Sequence, residues 1–281
     1  MINLKRNSKT LELVEAKGLR TRASSIYQPN QSEDFKISRS KFEDFLKCPR
    51  CFYLDRVKGL VSPGMPSWSL NETTDLLLKK EFDRCREEQM PHRLFIANGL
   101  EHIVPFQHEE MNRWRDSMRH GLISRFEDTN IILSGGVDDI WFDTQTEELI
   151  VVDYKSQASS YPVEPESYLN SGWHQDYKHQ MDFYNYLLNL MGFKTSDSSY
   201  FLVVNANRGA EGFNGAMEFS ETIIPYKHET SWIKEKIYEM IGCMNSDQVP
   251  KNHPSCENCA YTKQIFNLVR NKQKETNNET L

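Results

Sequence analysis

The sequence predicts an α/β fold, and three observations carry that reading. Two β-rich runs, Ser134–Asp143 and Glu148–Lys155, flank a polar connection, Thr144-Gln145-Thr146-Glu147, and read as an antiparallel hairpin. An apolar helix, Tyr177–Leu188, follows the hairpin. Ser199–Asn205 then has the composition of a buried strand.

The other elements fall around that centre. Residues 1–34 are rich in Ser, Asn, Gln and Lys and read as a weakly structured lead-in, with at most a short helix near Leu11–Lys17. Ser40-Lys41-Phe42-Glu43 fits a capping box, and its helix meets Cys48-Pro49-Arg50-Cys51. Pro49 disfavours helical backbone at Cys48, so the helix breaks and restarts with Pro49 in its first position. A Pro/Gly/Ser loop over 61–69 precedes a helix from about Leu70 to Glu88. His108–Phe126 places Met111, Trp114, Met118, Leu122 and Phe126 at helical spacing and predicts another helix. Arg113, Arg115, Arg119 and Arg125 along it read as solvated charges or as a phosphate-facing row. After the hairpin, 156–172 is a polar loop. A strand over Ala216–Pro225 pairs with Ser199–Asn205 across a Gly-rich turn, and Thr230–Met244 is an amphipathic helix.

Composition narrows the function classes. At 281 residues the chain can bury a substantial core. No apolar run approaches the ~20 residues of a membrane span, and Met1–Arg22 has no apolar h-region. The expectation is a soluble protein of the cytoplasm with no membrane partner. A net charge of −6 gives no global attraction to nucleic acid, so any such binding needs a local groove.

The hairpin carries the chemistry. With its loop centred between Gln145 and Thr146, Asp138 falls opposite Asp153, and opposed Cβ atoms lie roughly 5 Å apart. Two facing carboxylates repel, and a divalent cation between them removes the penalty; Mg²⁺ prefers such oxygen ligands. Side chains alternate along a strand, so Lys155 shares the face of Asp153. Gln180 and Tyr184, four residues apart, share a face of the following helix. Cys48-x-x-Cys51 and Cys256-x-x-Cys259 are two paired knuckles that together make a four-sulfur metal site clamping the ends of the chain. Zinc and a [4Fe–4S] cluster both accept four cysteines, and the spacing does not choose between them.

These residues carry a family resemblance. Gly136-Val137-Asp138 followed by Val151-Val152-Asp153-Tyr154-Lys155 resembles motifs II and III of the PD-(D/E)XK nuclease superfamily. The likeness is to its RecB-like branch, which includes the Fe–S-bearing CRISPR-associated nucleases. Gln180 and Tyr184 resemble the Q-x-x-x-Y motif of that branch. Ser38–Leu54 resembles its S-x-S…C-P-x-x-F-Y-L signature, with Cys51 where many members have Lys, and Cys256–Tyr261 resembles its C-x-x-C-x-Y element. The likeness spans Ser38–Tyr261.

It implies a restriction-endonuclease-like core: a central mixed sheet flanked by helices, in one nuclease domain over 35–265. The lead-in over 1–34 would precede it, and a disordered tail over 266–281 would follow. It implies a Mg²⁺- or Mn²⁺-dependent deoxyribonuclease, exo- or endonuclease, of DNA repair, recombination, or CRISPR or phage DNA processing, with a separate helicase or recombination protein as a possible partner. In that scheme Asp138, Asp153 and the Tyr154 carbonyl hold the ion. Lys155 orients water, and Gln180 and Tyr184 position the strand. The branch favours a cluster at Cys48, Cys51, Cys256 and Cys259, although its usual ligand split is one plus three. One departure stands out: where the branch has Gly-x-x-x-His, this chain has Asn71 and Asp75, so Asp75 either supplies an oxygen ligand or leaves that ligand missing. The alternative from a different class is a non-catalytic DNA-binding or scaffolding protein on a nuclease fold, and RNA is the other candidate substrate.

Overall fold

A computed structural model describes residues 3–64 and 69–278, with side chains as far as residue 270. In chain order the elements are β1 (Phe35–Ser38), α1 (Arg39–Lys47), α2 (Pro49–Arg56), α3 (Ser69–Glu88), α4 (Arg93–Ala97), β2 (Ile103–Pro105) and α5 (Met111–Arg115). There follow β3 (Leu122–Arg125), β4 (Ile131–Gly135), β5 (Asp139–Asp143), β6 (Glu148–Ser159), α6 (Pro165–Asn170) and α7 (Gln175–Leu190). The chain closes with β7 (Ser198–Asn207), β8 (Phe219–Lys227), α8 (Ser231–Asn245) and α9 (Glu257–Asn278). The chain groups into two compact units. One comprises 1–35, 40–65 and 235–281, and the other 36–39 and 66–234.

The larger unit is built on a five-stranded sheet in the order β2-β5-β6-β7-β8. β6 and β7 are parallel and the other pairs antiparallel, so the sheet is mixed, as expected. A parallel pair needs a crossover, and α6 and α7 supply it. Alternation along the strands covers both faces. On one face Trp141, Val152, Tyr154, Leu202 and Val204 form a core with Leu78 and Phe82 of α3 and Leu94 and Phe95 of α4. The opposite face carries Asp153, Phe201 and Val203, and there Gln180 of α7 bonds Asp153. A second, three-stranded sheet has the order β1-β4-β3.

Several expectations change in this unit. The predicted helix over His108–Phe126 is helical only in α5, and its second half is strand β3. Leu122–Arg125 pairs with β4, and that long-range ladder wins over a weak 3.6-residue period. Gly121 makes the turn with φ +80°, and a Cβ there would lie 2.7 Å from the Gly135 carbonyl oxygen. Met118, counted into the helical stripe, is 92% exposed. The single run Ser134–Asp143 is two strands in two sheets, β4 and β5, broken at Gly136–Asp138. The polar loop over 156–172 is shorter than expected, because pairing with β7 carries β6 to Ser159, and α6 follows.

In the smaller unit α2 starts at Pro49, as Pro at a first helical position predicts. α1 begins at Arg39, which puts Ser40 inside the first turn rather than at the cap. Tyr27, Phe42, Phe45, Phe52 and Tyr53 form its apolar interior. The Tyr53 hydroxyl donates to the Ser246 carbonyl at 2.9 Å, and the Tyr27 hydroxyl to Asn245 Oδ1 at 2.9 Å. No helix forms at Leu11–Lys17: Leu11 has φ 61° and Arg6 bridges to Leu13. Where a tail was expected from 266, α9 continues to Asn278. Residues 279–281, and 65–68 of the expected 61–69 loop, lie outside the described residues. Among the described residues no helix is long and apolar enough to cross a membrane.

Candidate active site

β5 and β6 pair from Asp139↔Val152 to Asp143↔Glu148. That register centres the turn between Gln145 and Thr146, as the sequence predicts, and carries Asp138 opposite Asp153. Asp138 sits where the chain leaves one sheet for the other. Two glycines make that crossing possible. A Cβ on Gly135 would lie 2.5 Å from the Tyr184 ring, and one on Gly136 would lie 2.5 Å from the Ser117 side chain. Only hydrogen at these two positions lets α7 and the α5–β3 turn close on the strand.

Asp153 is fully buried. Gln180 Nε2 donates to its Oδ1 at 2.6 Å, and Lys155 Nζ forms an ion pair with its Oδ2. The Gln180 amide also reaches the Tyr184 hydroxyl at 3.4 Å, and Arg39 hydrogen-bonds that hydroxyl. Asp138 Oδ2 accepts the backbone N–H of Tyr154 at 2.9 Å. In a strand a residue's N–H and C=O face the same edge, so the Tyr154 carbonyl faces the edge on which Asp138 stands. Lys155 Nζ lies 4.4 Å from the centre of the Tyr177 ring. The structure thus brings Asp138, Asp153, Lys155, Gln180 and Tyr184 together.

Asp75 joins them from α3. Its Oδ2 accepts from Lys79 Nζ at 2.8 Å, and the same ammonium stands 3.9 Å from Asp138 Oδ1. Burial raises the Asp75 carboxyl above its ordinary value and the charge of Asp138 adds to this, against the opposing pull of Lys79.

The electrostatics suit a cation. Burial pushes the Asp153 carboxyl up to about 7 and the nearby Asp138 carboxylate pushes the same way, while Lys155 pulls it down. Burial alone would lower Lys155, but the charges of Asp153 and Asp138 outweigh it and hold the ammonium above its ordinary value. The three carboxylates of Asp75, Asp138 and Asp153 share two ammonium groups, Lys79 and Lys155, and are short of positive charge. Their donors are hard oxygens, so the set fits Mg²⁺ or Mn²⁺.

A second network lies on the opposite face of the sheet, and the sequence reading did not anticipate it. Asp139 is fully buried. Its Oδ1 pairs with Arg86 and, at 2.8 Å, with Arg115, and its Oδ2 accepts the Tyr154 hydroxyl at 2.7 Å. Asp83 Oδ1 bonds both guanidinium groups, Arg86 at 2.6 Å and Arg115 at 2.7 Å. Burial would raise the Asp139 carboxyl, but Arg115 and Arg86 outweigh it and hold it low. Arg115, read as solvated or phosphate-facing, is a buried structural cation. A signal was present: Leu78, Phe82 and Arg86 are spaced by four on α3, which places a cation on an apolar stripe, where only a buried acid can partner it.

In the smaller unit the two knuckles meet. Cys48 Sγ lies 3.8 Å from Cys259 Sγ, and Cys51 Sγ lies 3.6 Å from Cys256 Sγ and 3.4 Å from Cys259 Sγ. All four sulfurs fall within 4.8 Å of one another, a cluster that can hold a metal ion.

No curated protein matches the chain. The family model of the PD-(D/E)XK nuclease superfamily matches residues 36–264, a span that contains the hairpin, α7 and all four clustered cysteines. This protein belongs to the PD-(D/E)XK nuclease superfamily.

Proposed function

We propose that the protein is a Mg²⁺- or Mn²⁺-dependent deoxyribonuclease of the RecB-like branch. One observation carries the reading: buried Asp153 is bonded at once by Gln180 and Lys155 and stands opposite Asp138, at the strand end where the two sheets part. A structural hairpin gains nothing from two opposed carboxylates, and burying one of them costs stability.

Asp138, Asp153 and the Tyr154 carbonyl would hold the ion, with Asp75 as the further oxygen donor in place of a histidine. The bound ion supplies phosphate polarisation and a lowered pKa for water. Lys155, fixed by Asp153 and Tyr177, orients the attacking water and offsets the charge that builds on the phosphate in the transition state. Gln180 fixes the carboxylate it bonds. Together with Tyr184 it presents amide and hydroxyl groups to the strand being cut. DNA is the proposed substrate, and a helicase or recombination protein would act as a separate partner.

The test is incubation of the full chain with labelled DNA and RNA, single- and double-stranded, with Mg²⁺, Mn²⁺ or chelator. Metal-dependent DNA cleavage supports the reading. DNA bound but never cut would shift it to a non-catalytic DNA-binding protein, and cleavage of RNA alone would change the substrate.

A further inference from the structure

We propose that Cys48, Cys51, Cys256 and Cys259 hold a single tetrahedral zinc ion and not an iron–sulfur cluster. The separation of the sulfurs decides between the two. Four sulfurs bound at about 2.3 Å to one zinc stand about 3.8 Å apart. In a [4Fe–4S] cluster each cysteine binds a different iron, and the iron–iron edges hold the sulfurs about 6 Å apart. The separations in the structure are 3.8, 3.6 and 3.4 Å, and no pair exceeds 4.8 Å. One ion fits this cage and a cubane does not.

The surrounding backbone agrees. The N–H groups of Cys51 and His253 donate to the Cys48 sulfur, so the Cys48-Pro49-Arg50-Cys51 turn is folded around that atom. Cys48 precedes α2 as its N-cap residue, and Cys259 lies in the first turn of α9. Cys51 and Cys256 are 205 residues apart in sequence. The ion therefore ties together two segments of the smaller unit that are distant in sequence, through ligands separate from those proposed at Asp138 and Asp153. Zinc suits that role, because it has no redox chemistry and fills a closed four-thiolate site.

The full chain, purified without added metal, should contain equimolar zinc, little iron or acid-labile sulfide, and no visible absorption. Cobalt exchanged into it should give the intense visible bands of a tetrahedral thiolate site. Cys51→Ser should lose the zinc, and Cys85→Ser, outside the cluster, should keep it. Should Cys51→Ser fail to fold, the cobalt spectrum of the unaltered chain carries the test. Iron and sulfide in near-equal amounts with a brown colour would overturn the proposal. So would protein holding neither metal that takes up zinc no better than Cys51→Ser. Neither result depends on nuclease activity.

A separate observation concerns the substrate and rests on the nuclease reading. Trp173 is 91% exposed, in a 3-10 turn between α6 and α7. Its backbone is fixed: Ser171 Oγ accepts the Trp173 N–H, and the Ser171 carbonyl accepts the His174 N–H at 3.0 Å. His174 stacks on Tyr177 at 5.2 Å and 17° and has its Nδ1 2.8 Å from the Tyr168 carbonyl oxygen. Tyr177 in turn lies against Lys155. Trp173 thus directly precedes a stacked His174–Tyr177 pair that ends against Lys155, and its own indole face is bare.

We infer that Trp173 stacks an unpaired nucleobase next to the scissile phosphate, which makes a single strand the preferred substrate. Bases in a duplex are already stacked on one another and offer no such face. In chelator, where binding is read without cleavage, Trp173→Ala should weaken binding of oligo-dT about 10-fold. Trp173→Phe should restore most of it, and duplex affinity should stay as it was. Oligo-rU in parallel separates DNA from RNA as the source of the base. An equal loss on duplex, or no loss on oligo-dT, would overturn the inference. Intact binding with no cleavage in any metal would sink the nuclease reading and leave only the stacking contact standing.

Discussion

Asp138 and Asp139 are neighbours in the chain, yet each bonds a different end of the same residue. Asp138 accepts the Tyr154 backbone N–H at 2.9 Å, and Asp139 accepts the Tyr154 hydroxyl at 2.7 Å. Alternation sends one carboxylate to the face of Asp153 and Lys155 and the other into the core beneath α3. Asp138, the carboxylate proposed to hold the ion, therefore stands at the start of a strand whose other face is locked by the Arg86–Asp139–Arg115 network.

That network sets the first prediction. Arg86→Met removes one of the two cations held by a fully buried carboxylate, and Arg115 alone compensates only in part. Loss of a buried charge partner costs about 3–5 kcal/mol, and the low end is expected here. Urea unfolding should read it as a fall in midpoint, and Arg86→Met paired with Asp139→Asn should recover part of the loss.

Gly135→Ala tests the close approach of α7. The new Cβ meets a buried ring at 2.5 Å, so Tyr184 or the strand must move. Overpacking of this kind costs about 1–3 kcal/mol. DNA cleavage should fall with it, because Tyr184 shares a hydrogen bond with Gln180, whereas Gly242→Ala, with nothing within 4 Å, should leave cleavage unchanged.

Acid stability should depend on Asp55. Burial pushes its carboxyl up, but hydrogen bonds from Arg56, Lys41 and Arg20 outweigh that and hold it down at about 2. A depressed pKa stabilises the fold above the ordinary carboxyl range and ceases to do so as pH falls through the folded value. Melting temperature should drop between about pH 4 and pH 2, and Asp55→Asn should flatten that part of the profile while lowering stability at pH 7.

The hairpin and its register were legible in the sequence because alternation and a short polar turn are local signals. Asp138, Asp153 and Lys155 follow from that register; spacing puts Gln180 and Tyr184 on one helix face, and the resemblance to the Q-x-x-x-Y motif singled them out. The break at Gly136 was not legible: a strand that changes sheets looks like one long strand, and what parts the sheets is the packing of Ser117 and Tyr184 against bare glycines. His108–Phe126 misled for a similar reason, since pairing with β4 overrode the helical period of its second half. Arg115 read as a solvated or phosphate-facing charge until the fold supplied Asp139.

The most direct measurement of the central claim is cleavage of labelled DNA by the unaltered chain, by Asp153→Ala and by Lys155→Ala, each in Mg²⁺, Mn²⁺ and chelator. The account predicts cleavage by the unaltered chain only with metal, and a loss on the order of 100-fold or more in each folded variant. Cleavage that survives chelation, or a folded Lys155→Ala protein with full activity, would contradict it.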